Sequence, residues 1–299
     1  MKPFTFFRRP SAAAAVAPLP IETPFEQQLK PLLHDLLLSD PSSSSSFPCS
    51  NSIWFVQALQ ASTKTQSIAL NSINSISFQE SDRPIVENYL EDNNVKVLDA
   101  CNLLSEKMEI VQDYVKSLRV VSHLVIQGNF EPNLQRALDL LDSSVETLER
   151  RLKETLLLEN KKKKVINYSS SEYSEILNGS MGFALMVCGM LGNALSLSKS
   201  KRRRLHKFQL PTTFDQFKDC RKAGSSSMVL FELQQTLKVA RDLQLNLRLR
   251  NRSDQIAEEL KSKCDELEGK IMALDSGVRD LYKHLISVRM ALLGTLSVA

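Results

Sequence analysis

Three stretches of the chain repeat apolar side chains at alternating four- and three-residue spacing, and this leaves little room for anything but helices packed along one another. The first runs Val97, Cys101, Leu104, Met108, Val111, Val115, Leu118. The second is Leu134, Leu138, Leu141, Val145, Leu148, Leu152. The third and longest is Leu260, Cys264, Leu267, Ile271, Leu274, Val278, Leu281, Leu285, Val288, Leu292. A seven-residue repeat keeps one apolar stripe on a helix facing a neighbour at a shallow crossing angle, whereas a strand alternates with period two. Glycine is scarce at 9 of 299 residues and aromatics make up 6%, which disfavours a β-sandwich or a glycine-rich catalytic α/β fold. The expected fold class is all-α: an antiparallel bundle of long helices with heptad-like packing.

Local signals divide the chain. Asp82 can cap a helix with Pro84 just inside it, Gly128 ends that helix and Pro132 opens the next. Ser169 with Glu172, and Thr213 with Gln216, have capping-box spacing. Four acid-to-base pairs at i, i+4 (Glu146 and Arg150, Glu149 and Lys153, Glu259 and Lys263, Glu266 and Lys270) share the orientation that supports a helix. Helix is expected at 23–38, 52–77, 83–127, 132–159, 172–198, 213–222, 227–250 and 254–294. The organisation that follows is a disordered leader at 1–22, a helical region at 23–158, a Lys/Ser-rich linker at 159–171, an apolar helix at 172–198, a basic linker with a short helix at 199–226, and a helical hairpin or coiled coil at 227–299. In that last segment Leu267, Ile271, Leu274, Val278, Leu281 and Leu285 have two readings: the core of the chain's own bundle, or a seam for another helical protein or a second copy.

Residues Ile176 to Ser198 carry no charge over 23 positions. A helix of that length reaches about 34 Å, against about 30 Å of bilayer hydrocarbon. Ser180, Ala184, Cys188, Gly192 and Ser196 recur every four residues as a stripe of small side chains. Membrane helix pairs use such stripes, and so does the central helix of a soluble bundle when it seats a neighbour closely. The glycines and Asn193 weaken insertion, because each large apolar residue contributes only about 0.3–0.6 kcal/mol at a bilayer centre. Directly after it, Lys199, Lys201, Arg202, Arg203 and Arg204 form a basic cluster. It can attract anionic headgroups at about 1 kcal/mol per basic residue, act as a nuclear address, or be a solvated loop. Nucleic acid is disfavoured as a partner: only Phe208 stands nearby to stack on bases. The whole-chain charge of +4 is too mild for a general polyanion binder.

No catalytic chemistry is legible. The four histidines, His34, His123, His206 and His284, form no close metal pair, and no phosphate-cradling glycine loop or nucleophile elbow occurs. His123 lies in an apolar stretch and reads as a structural, hydrogen-bonded histidine. The five cysteines (Cys49, Cys101, Cys188, Cys220, Cys264) are widely spaced, with no CxxC pair. Buried reduced thiols are expected for the three at apolar helical positions. The chain is expected to be no enzyme and to hold no cofactor or metal.

One resemblance adds to this reading. Trp54-Phe-Val-Gln-Ala-Leu opens a helix, and Asn88-Tyr-Leu-Glu-Asp-Asn-Asn-Val-Lys-Val-Leu-Asp-Ala-Cys-Asn102 follows the acidic stretch Gln79-Glu-Ser-Asp82. The Leu134–Leu152 helix and the charge-free segment come next. This order resembles the plant BYPASS family of developmental regulators, most specifically in Val-Lys-Val-Leu-Asp-Ala-Cys-Asn; the C-terminal third matches only in its heptads. The resemblance implies a non-enzymatic regulator of root and shoot development that restrains a root-derived mobile signal, with membrane-associated, cytoplasmic or chloroplast placement. The alternative expectation is a coiled-coil scaffold with a nuclear address at 199–204.

Overall fold

The computed structural model describes residues 23–38, 51–127, 131–155, 171–197, 229–251 and 253–298. Among these residues there is no strand, and the fold class is all-α. The elements are α1 (Pro24–Leu38), α2 (Ser52–Ser75), a 3₁₀ turn (Glu80–Asp82), α3 (Arg83–Asn88), a π turn (Tyr89–Asn93), α4 (Asn94–Gln127), α5 (Glu131–Thr155), α6 (Glu172–Ala194), α7 (Phe231–Arg248) and α8 (Asp254–Val298). The expected boundaries hold within a few residues, except that the helix expected at 213–222 lies outside the described residues.

Caps explain several ends, and two differ from expectation. The α6 cap is Ser171, whose hydroxyl accepts from the Ser174 N–H, so Glu172 begins the helix one residue after its cap; Ser169, the expected cap, lies outside the described residues. Asp82 makes no side-chain cap on α3; its carboxylate turns back to accept from the Gln79 N–H. The segment expected as one helix over 83–127 is interrupted by the π turn. The backbone there widens, and Arg289 of α8 donates to the Leu90 carbonyl. The i, i+4 pairs are also partnered differently: Arg150 meets Glu154 and Lys263 meets Glu266.

The framework is the antiparallel pair α4 and α8, about 51 Å and 68 Å long at 1.5 Å per residue. Asn94 donates to the Leu285 carbonyl at one end, and Arg119 pairs with Asp265 and Glu268 (both 2.6 Å) towards the other. The shorter helices complete two rings of four on this shared pair. In the lower tier α6 packs on α4, α2 on α6, and α8 on α2. Asn93–Asn178 and Lys107–Gly192 contacts make α6 parallel to α4, while Gln66–Ser180 and Ile73–Tyr173 contacts make α2 antiparallel to α6. In the upper tier α5 packs on α4, α7 on α5, and α8 on α7. Asp142 accepts from Gln244 and Arg248, and Glu131 pairs with Arg250, so α7 runs antiparallel to α5. The α7–α8 turn uses Arg250 at φ 55°, a left-handed conformation. The hydrophobic core runs through both tiers, and α1 lies along α2.

Candidate functional surfaces and the buried waist

The tiers meet at a waist where helix ends converge. The α6 C-terminus and the α7 N-terminus are joined by a hydrogen bond from the Leu230 N–H to the Ala194 carbonyl (2.7 Å). Ser52 at the start of α2 donates through both its backbone N–H and its hydroxyl to Glu232 Oε1 on α7. Lys107 of α4 donates from Nζ to the Gly192 carbonyl (3.0 Å) and the Ser196 hydroxyl (3.3 Å) at the α6 C-terminus. Both charged side chains are buried, Lys107 1% and Glu232 6% exposed. Their placement follows the helix dipoles, with the ammonium at a C-terminus and the carboxylate at an N-terminus. Glu232 Oε2 has no hydrogen-bond partner.

The small stripe of α6 is spent inside this chain. Ser180, Ala184, Cys188, Gly192 and Ser196 are all buried. The Ser180 carbonyl accepts from Gln66 of α2 (2.9 Å), and a methyl built on Gly192 would lie 3.7 Å from Leu104 and from Lys107. Cys101 of α4 stands near Cys188, and its thiol, together with burial, pushes the Cys188 thiol well up. Most of the larger side chains on the other faces of α6 are buried too, leaving Glu172, Asn178 and Asn193 exposed. The helix has the length and composition of a membrane span, with mean hydropathy 1.3, and 72% of that window is covered by the rest of the protein. A helix apolar on every side needs such a surround, whether protein or lipid.

The seam residues Leu267, Ile271, Leu274, Val278, Leu281 and Leu285 are likewise fully buried against α2, α4 and α7. Of their two readings, the structure places them in the chain's own core, because two tiers of short helices cover the a/d face along its length. The outward apolar ridge of α8 is a different one, Ile286, Met290 and Leu293, with Met290 63% exposed. Its i, i+4, i+7 spacing was in the sequence but was masked by the stronger heptad beside it. The basic cluster Lys199, Lys201, Arg202, Arg203 and Arg204 lies outside the described residues.

His123 is exposed, not a structural core histidine: it falls on the outer face of α4. His34 and His284 are exposed as well, and His206 lies outside the described residues. Among the described residues no group of three or more His, Cys, Asp or Glu is arranged to hold a metal. A shallow groove of about 150 Å³ between α4 and α5 is lined by Tyr114, Ser117, Ser143, Ser144, Thr147 and other residues of the two helices. Asp113 at its rim is hydrogen-bonded by Arg151 (2.8 Å), which holds that carboxyl below its usual range and keeps both charges engaged with each other.

No protein-family model matches the chain, and no curated protein or solved structure shows significant similarity to it. The class that the fold defines is an all-α, two-tier helical bundle built on a shared long pair.

Proposed function

We propose that the chain is a non-enzymatic regulator of plant root and shoot development, restraining a root-derived mobile signal as its resemblance to the BYPASS family implies, and that it works through helix-face contacts with partner proteins. The observation that carries the contact reading is the exposed ridge Ile286, Met290 and Leu293 on the longest helix. Apolar anchors at this spacing are the form in which helices are read by grooves in other proteins. The test is complementation in a plant lacking the protein. A chain carrying Ile286→Glu, Met290→Glu and Leu293→Glu is expected to keep its helicity and melting temperature and to fail to restore shoot growth. Full restoration would remove the ridge from the reading, and normal roots and shoots in the mutant plant would remove the developmental role.

A second observation, the membrane-like composition of α6, favours an anchoring role for residues 176–198. Its burial against α2 and α4 supports the competing role of a central bundle helix, which we prefer. Carbonate and detergent fractionation of the full chain against a chain lacking 176–198 separates the two. Carbonate-resistant full chain with a soluble deletion supports the anchor. Soluble full chain with an unfolded deletion supports the bundle helix.

A further inference from the structure

We propose that Cys101 and Cys188 are an oxidisable pair that closes into an α4–α6 disulfide under peroxide stress. Two contacts independent of sulfur set the register. Asn93 meets Asn178 at one level and Lys107 meets the Gly192 carbonyl at another, both 85 residues apart in sequence, so the two helices run parallel and in step between them. Cys101 and Cys188 lie within that interval and are both buried. Leu104 of α4 reaches to 3.7 Å from a methyl built on Gly192, and one turn back along each of these parallel helices places Cys101 opposite Cys188. Cys101 is near enough to raise the Cys188 thiol. Both are reduced, as is Cys264, which stands on α8 near Arg119.

The chemistry balances with hydrogen peroxide as oxidant. One sulfur, as thiolate, attacks a peroxide oxygen; the O–O bond breaks, giving a sulfenic acid and, after protonation, water. The second sulfur attacks the first, the S–O bond breaks, a second water leaves and the S–S bond forms. Two electrons pass from the thiols to the peroxide. The nearness of Cys101 and the burial that raise the Cys188 thiol make its thiolate scarce, so the first step waits on a transient opening of α6. The reaction is therefore slower than that of an exposed thiol. Its product pins the most apolar helix to α4 and needs neither a partner nor a membrane.

The experiment uses the full chain, reduced, desalted and incubated with hydrogen peroxide, then denatured in iodoacetamide, digested without reductant and mapped by mass spectrometry. The expected result is loss of two hydrogens in the intact mass, a Cys101–Cys188 linked peptide, and a higher melting temperature that dithiothreitol reverses. Four outcomes overturn the proposal: a link to Cys49, Cys220 or Cys264; a link between two chains; Cys101 and Cys188 both remaining open to alkylation after the other thiols have oxidised; and a link that forms only when oxidation is carried out in urea. A Cys188→Ala chain, small enough for the seam, is expected to form no internal link while melting as the reduced protein does.

Discussion

Single side chains in this protein are polar where the tiers meet and where α3 gives way to α4. Tyr89 begins the π turn with its ring buried, and its hydroxyl has no well-formed hydrogen bond. Burial pushes this phenol up to about 12, with the nearby Asn94 amide opposing the rise. Because the folded value exceeds the unfolded value of about 10, the folded state holds the proton more tightly between the two. Stability is therefore complete below about pH 10 and falls as pH rises towards 12. A Tyr89→Phe chain is expected to show a shallower loss over that window in urea titrations at stepped pH. An identical slope in both chains would assign the alkaline loss to other groups.

At the scale of the element, helix glycines separate two effects that sequence cannot. Gly269, Gly277 and Gly294 all sit in α8, and none has a positive φ. A methyl on Gly269 or Gly294 meets nothing within 4 Å, whereas one on Gly277 would stand 3.1 Å from Leu59 Cδ1 and 3.3 Å from Leu59 Cβ on α2. Alanine in an open helix position is expected to gain about 0.5–1 kcal/mol. Gly294→Ala should show that gain by urea unfolding, and Gly277→Ala should forfeit it by crowding Leu59. Equal gains at both sites would mean that α2 yields freely there. The same closeness shows what a glycine provides where the parallel pair α2 and α8 touch.

For the whole molecule, the shared pair α4 and α8 makes the two tiers one cooperative unit. Leu274 is fully buried in α8 and stands about level with Lys107, at the waist. Leu274→Ala is expected to cost about 2–5 kcal/mol, the range for a leucine cavity. The single tryptophan, Trp54, is buried in the lower tier, while far-ultraviolet circular dichroism reads every helix. Both signals should move to the same lower urea midpoint. Separate midpoints would show that the tiers unfold independently and that the shared pair does not couple them.

The heptads were enough to establish helices, their approximate ends and the all-α class, because a 3.5-residue apolar period is a local property of each segment. Leu267 to Leu285 illustrates the limit. The pattern declares a buried stripe, but only the packed structure decides that α2, α4 and α7, rather than another chain, bury it. The small stripe of α6 is the same case: its composition suits lipid or protein, and its neighbours α2 and α4 are fixed by contacts across more than 80 residues of sequence. Lys107 and Glu232 carried no readable signal, and for Cys101 and Cys188 the burial was legible but not that the two stand together. Their meaning depends on which helix ends and faces come together, and that is decided by burying every stripe at once, a property of the tertiary structure that no window of sequence contains.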